Sequence, residues 1–169
     1  MKKLITTFVL GSLFAISTAF AQQGVINVGG GLVYGSEIEN LGLGVNGQYF
    51  FTDNIAGQAE INFFFPKEQG AIKSSLWDIS LNANYVFDTD IAVKPYLLGG
   101  LNIASAKVKA ESIYGDFTST DTKVGLNIGG GADFDIGKAV TPNAQLRYVI
   151  GDYDQLVLLL GVKLNIGRL

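Results

Sequence analysis

The chain has 169 residues and a formal net charge of −3 at pH 7, with no cysteine and no histidine. That length suits one domain, and the acid excess argues against nucleic acid as a partner. The missing residue types exclude a disulfide framework, His- or Cys-type metal sites, and catalysis by a cysteine nucleophile or a histidine base.

The first segment reads as a secretory leader spanning residues 1–21. Lys2 and Lys3 supply a positive start, Ile5 to Ile16 is mostly apolar, and Ala19-Phe20-Ala21 is a small-x-small cleavage site. The apolar core is too short for a membrane anchor helix. No cysteine stands at the cut, so a lipoprotein is excluded. Cleavage after Ala21 makes Gln22 the first residue of a single domain, 22–169. Removing a leader with two lysines and no acids takes the net charge from −3 to −5.

Eight strands follow, each alternating with the period of two that a pleated strand imposes. The first, about Val25–Tyr34, shows Ile26, Val28, Leu32 and Tyr34 on its apolar face. The second, Leu41–Phe51, shows Leu41, Leu43, Val45, Tyr49 and Phe51, and the third, Ile55–Phe65, shows Ile55, Ala59, Ile61, Phe63 and Phe65. The fourth, Ser75–Phe87, carries Trp77, Ile79, Leu81, Ala83, Tyr85 and Phe87. The fifth, Ile91–Lys107, carries Val93, Pro95, Leu97, Leu101 and Ile103. The sixth, Lys123–Ile136, has Val124, Leu126, Ile128, Ala132, Phe134 and Ile136, and the seventh, Val140–Gly151, has Ala144, Leu146, Tyr148 and Ile150. The eighth, Gln155–Ile166, gives the clearest alternation, with Leu156, Leu158, Leu160, Val162, Leu164 and Ile166 on one face. Each is long enough to cross a bilayer when tilted.

The connections alternate too. Residues 52–54, 88–90 and 137–138 are tight turns rich in Asp, Asn and Gly. Ser36–Asn40, Pro66–Lys73 and Ala110–Asp121 are longer, with Asp152–Asp154 a short fourth. The pattern predicts short periplasmic turns, longer outer loops and both termini at the periplasmic end.

Alternation alone leaves open which face is inside. The non-apolar face holds Gly29, Gly31, Gly42, Gly44, Asn46, Asn62, Asn82, Asn84, Gly100, Asn102, Gly125, Asn127 and Gly129. A solvent-facing exterior carries more Lys and Glu, whereas small polar residues suit the crowded interior of an eight-stranded barrel. The expected fold is therefore all-β: an eight-stranded antiparallel up-and-down transmembrane β-barrel, with Tyr49, Phe51, Tyr85, Phe87 and Phe134 as an interfacial girdle. The triple glycines at 29–31 and 129–131 read as close-packing sites within strands.

The segments Gly47-Gln48-Tyr49-Phe50-Phe51-Thr52-Asp53-Asn54-Ile55-Ala56 and Val93-Lys94-Pro95-Tyr96-Leu97-Leu98-Gly99-Gly100-Leu101 resemble the outer-membrane β-barrel-domain family of small porin-like proteins. The resemblance covers all of residues 22–169. It implies eight antiparallel strands in a Gram-negative outer membrane, contact with its lipid, and insertion by the outer-membrane assembly machinery. The motifs are nearly silent on activity. Such barrels usually end in an aromatic residue, whereas this chain ends Ile166-Gly167-Arg168-Leu169.

Two groups of inward residues stand out. Glu60, Asp78, Lys94, Asp133, Arg147 and Lys163 are three acids and three bases on the lumen face. Charges in a narrow barrel need partners, so a neutralising plug is expected, with a gated ion path as the alternative. Nearer the outer end, Val33, Phe64, Leu76, Val149, Val157 and Leu159 form an apolar layer. It reads as a plug or as a shallow pocket for a hydrophobic molecule, covered by Ile113, Tyr114 and Phe117 of the long loop. The functional expectation is a non-enzymatic, monomeric barrel without cofactor or metal that displays loops outside the cell. The alternative is a narrow channel or carrier for small molecules, hydrophobic ones included.

Overall fold

The structure, a computed structural model, describes residues 22–69, 72–110, 117–137, 139–151 and 154–168; the expected leader lies outside them. Every regular element among the described residues is a strand: β1 (Val25–Gly35), β2 (Asn40–Phe50), β3 (Ile55–Phe64), β4 (Lys67–Gln69), β5 (Ile72–Val86), β6 (Val93–Ala110), β7 (Phe117–Phe134), β8 (Val140–Gly151) and β9 (Gln155–Arg168). All neighbours are antiparallel, β1 pairs with β9, and β3 pairs with β5. Because β3 and the short β4 both lie along β5, they are two pieces of one stave, and the sheet closes as an eight-staved barrel. Closure leaves no open sheet edge, the condition a β-structure must meet inside lipid.

The alternation in the sequence becomes the two faces of the wall. Leu32, Leu43, Phe63, Leu81, Leu101, Leu126 and Leu160 are all exposed on the outside. They stack by register into continuous apolar rows, one running Val45↔Ile61, Ile61↔Ile79, Ile79↔Ile103 and Ile103↔Val124. Cross-strand pairs of this kind are the unit that stabilises a sheet. Leu160 is 54% exposed while its neighbour Leu159 is 1% exposed, so one step along the chain crosses the wall.

Some glycines in the triple runs mark close approaches. A Cβ on Gly131 would collide with the Tyr96 ring, and one on Gly31 would strike the β9 backbone at Leu160 and Gly161.

The ends of the barrel differ. At the short-turn end, Thr52 accepts from the Ile55 amide at 3.0 Å, Asn54 donates to Val86 O at 2.9 Å, and Asp135 accepts from Gly137 N at 2.9 Å, with Gly137 at φ 69°. Tyr49–Phe51 and Tyr85–Phe87 stack edge to face at 5.0 and 5.1 Å beside these turns.

At the long-loop end the expected Ala110–Asp121 and Pro66–Lys73 loops are partly strand. Residues 117–121 pair with 106–110, because the Thr- and Ser-rich run Thr118–Thr122 suits an extended chain. Ile113 and Tyr114 lie outside the described residues. In the third stave, Phe63 pairs with Trp77 and Lys67 with Ser74, so four steps on one side match three on the other. Pro66, which has no N–H to offer a ladder, sits in that bulge.

Candidate functional site

The middle of the lumen is packed with buried side chains. At mid-height β3, β5 and β8 each turn a charged side chain inward: Glu60, Asp78 and Arg147. One guanidinium nitrogen of Arg147 bonds Glu60 Oε1, and the other lies 3.3 Å from Asp78 Oδ1. All three side chains are 0% exposed. Asn62 ties the two carboxylates together, its amide donating to Glu60 Oε1 at 2.8 Å and to Asp78 Oδ1 at 3.0 Å. The other oxygen of Glu60 accepts from Gln58 at 3.1 Å and from Gln145 at 3.0 Å. Two carboxylates thus share one cation, and neutral amides supply the remaining stabilisation.

The network continues toward the short-turn end. Tyr96 OH donates to Gln145 Oε1 at 3.1 Å and accepts from Asn143 at 3.0 Å. Asn143 also donates to Asp133 at 2.5 Å, and Lys163 holds both Asp133 oxygens at 2.9 and 3.0 Å. The Lys163 ammonium lies 4.9 Å from the centre of the Tyr96 ring, close enough for a cation–π contact. Lys94 stays apart. It faces Asp133 in register but only lines the short-turn mouth beside Asp133 and Asp135, without an ion pair among the described residues. The six charges expected on this face are therefore one trio, one pair and a separate lysine.

Apolar layers flank the network. Toward the long loops, Val33, Phe64, Leu76, Val149 and Val157 pack together with Ala104. Leu159 is buried in the lumen but outside that cluster, with Gly44 beside it. Above this layer a cleft of about 330 Å³ opens at the mouth, with Ile38, Phe64, Leu76 and Ala106 in its lining and Lys67 and Lys107 at its border.

The second layer was not foreseen in the sequence: Phe50, Ala56, Val86, Tyr96 and Leu98 cluster at the short-turn end, against Val25. Continuing the inward count down to the turns at 51–54 and 87–92 finds Phe50, Ala56 and Val86. Gln58, Gln145 and Asn143, which join the two charge groups, sit on the same inward register and were likewise missed.

Lumen position follows from residue type at each height. Amides and charges face one another across the middle, and an apolar layer of aliphatic and aromatic side chains lies toward each end. Asn62 Oδ1, Asp78 Oδ2 and Arg147 Nε have no protein partner among the described residues, which leaves hydrogen-bonding capacity for water around the trio.

An apolar outer surface around a polar, closed interior defines an integral-membrane β-barrel. The chain belongs to the outer membrane protein beta-barrel domain family, whose model matches residues 6–165. As a member it is a bacterial outer-membrane protein.

Solved structures with the same fold include the N-terminal β-barrel domain of OprF from Pseudomonas aeruginosa, at 20% identity and a TM-score of 0.66, covering 85% of this chain and 98% of that one. Ail, the attachment invasion locus protein of Yersinia pestis, matches at 19% identity and a TM-score of 0.62, covering 84% and 98%. OprG from Pseudomonas aeruginosa matches at 14% identity and a TM-score of 0.64, covering 87% and 98%. At these identities the likeness is one of fold. A comparison with curated proteins finds no match.

Proposed function

We propose that this protein is a closed, non-enzymatic barrel that anchors and displays its long-loop end at the cell surface. The observation that supports this reading best is the fully buried Glu60–Arg147–Asp78 trio set between two apolar layers. An eight-stranded interior is just wide enough for side chains to fill, and these side chains fill it. A chain without histidine or cysteine also lacks the residues on which most nucleophile–base pairs depend. In this reading the leader is removed after Ala21, the assembly machinery inserts the barrel, and the barrel works as a monomer in outer-membrane lipid. Single-channel recording in planar bilayers tests it. The expected trace has no discrete openings, and regular openings sensitive to Arg147→Ala would overturn the proposal in favour of a gated path.

The long-loop cleft favours a second reading, a carrier for small hydrophobic molecules. Its apolar lining at Phe64 and Leu76 is open to the outside. An environment-sensitive apolar dye should bind the folded protein and lose that binding in Phe64→Asp. Unchanged dye binding in the variant would assign the signal to detergent or loops.

A further inference from the structure

The short-turn end holds an arrangement that neither the lumen network nor the loops explain. The Gln22 backbone nitrogen donates to Asp53 Oδ1 at 2.6 Å, and Gln23 N reaches the same oxygen at 3.2 Å. Gln22 is the residue that leader removal would make first. Its nitrogen is an amide while the leader is attached and an α-ammonium afterwards. A single N–H donor then becomes a cation with three donors, facing a carboxylate that is already in place.

The surroundings hold that nitrogen still. Val25 N donates to Gln22 O at 3.0 Å, and Gly24 stands at φ 81°, the left-handed value that the third position of a type II turn requires. Gly24 N donates to Phe50 O at 2.9 Å, and Arg168 Nε donates to Gln23 O at 2.7 Å. The turn is thus docked on the end of β2 and on the last strand, while Asp53 projects from the turn at 51–54. Gln22 also lines the short-turn mouth with Val25, Asn27 and Phe50.

We propose that Asp53 is the receptor for the new α-ammonium of Gln22, and that it protects this terminus from cyclising to pyroglutamate. The proposal rests on cleavage after Ala21. In the cyclisation the unprotonated α-nitrogen attacks the side-chain carbonyl Cδ of Gln22. The N–Cδ bond forms, the Cδ–Nε2 bond breaks, and ammonia leaves, with no change in oxidation state. The nucleophile is the nitrogen lone pair, which the ammonium does not have. A carboxylate in contact favours the charged form. The turn also holds the Gln22 backbone, so the α-nitrogen must leave Asp53 before it can attack. Both effects slow the reaction in the folded barrel and vanish in the unfolded chain.

The test uses mature protein isolated from outer membranes in detergent micelles, with intact mass followed over time for the loss of one ammonia. Folded wild type should lose it several-fold more slowly than urea-unfolded wild type and than folded Asp53→Asn, while Asp53→Glu should stay slow. Equal rates for folded wild type and folded Asp53→Asn overturn the proposal. If Asp53→Asn does not fold, acylation of the α-amine in wild type decides: protection in the folded barrel supports the site, and equal labelling in folded and unfolded protein overturns it. A mature mass that begins at another residue overturns the proposal through the processing step instead, and the starting mass shows this directly.

Discussion

Replacing each member of the lumen trio in turn should give an order that the geometry sets. Arg147→Met leaves two buried carboxylates bridged by Asn62 with no cation between them. At the 3.3 Å separation from Asp78, one opposite-charge contact corresponds to about 5 kcal/mol at an effective dielectric constant of about 20. Relief of Arg147's own desolvation offsets part of that, and a cost of about 3–5 kcal/mol remains for stranding a buried charge.

Glu60→Gln removes a charge but leaves one cation with one carboxylate. Its difficulty is hydrogen bonding. The new amide nitrogen would face Gln58 Nε2 and Gln145 Nε2, both donors, while Gln58 Oε1 is committed to Asn84 and Gln145 Oε1 to Tyr96 and Gln58. A donor facing donors in a buried site costs about 1–3 kcal/mol.

Asp78→Asn is the mildest change, because Arg147 keeps Glu60 as its counter-charge and an amide oxygen in place of Asp78 Oδ1 can still accept from Arg147 and Asn62. Its expected cost is about 1 kcal/mol or less. Urea unfolding in lipid vesicles, followed by the fluorescence of Trp77, the single tryptophan, measures all three. Arg147→Met combined with Glu60→Gln should show coupling of about 0.5–3 kcal/mol. A cycle without coupling, or an Asp78→Asn more damaging than Glu60→Gln, would falsify the network as drawn.

Leu160→Arg, mid-strand on the outer face, should cost about 2–4 kcal/mol in vesicles, and Ile166→Arg, near the short-turn end, about 0–1 kcal/mol; the reverse order would place the bilayer elsewhere. Gly31→Ala should destabilise by about 1–3 kcal/mol, because its Cβ meets the β9 backbone. Gly47→Ala, with nothing within 4 Å of its Cβ, should be neutral or stabilise by about 0.5 kcal/mol; equal effects in an unfolding titration would remove the close-packing argument. Tyr96→Phe deletes the hydroxyl between Asn143 and Gln145 and should cost about 1–3 kcal/mol by the same assay. Unchanged stability would mean the two charge groups are independent.

The wall of the barrel was legible because period two leaves little freedom. Once Leu156 to Ile166 face lipid, every neighbour's facing follows from pairing. The loops were less legible. Thr118 to Thr122 is polar enough to read as loop, yet hydroxyl-bearing and β-branched residues extend a hairpin beyond the bilayer as readily as they form a turn. The inward charges could be named from the sequence, but their partners could not, because strand tilt and shear offset heights between staves. Lys94 and Lys163 sit at similar counts from the turns, yet only Lys163 reaches Asp133. The layer at Phe50, Ala56 and Val86 was hidden for another reason. Apolar residues beside a turn suggest an interfacial girdle, and only the inward register separates buried Phe50 from half-buried Tyr49 and exposed Phe51.

The trio also bears on the order of events in assembly. Glu60 and Arg147 are 87 residues apart, Asp78 and Arg147 are 69 apart, and β3 and β8 are not neighbours in the sheet. Hairpins form locally, but these side chains meet only when the sheet has curled and β1 has found β9. A half-built sheet holds all its early ladders and none of this charge pairing. Distant contacts of this kind come after the loss of chain entropy that brings them together. Weakening them should therefore quicken the opening of the finished barrel far more than it delays insertion. The polar centre of the lumen acts as a latch set by closure, and its strength should be read in how long the barrel lasts.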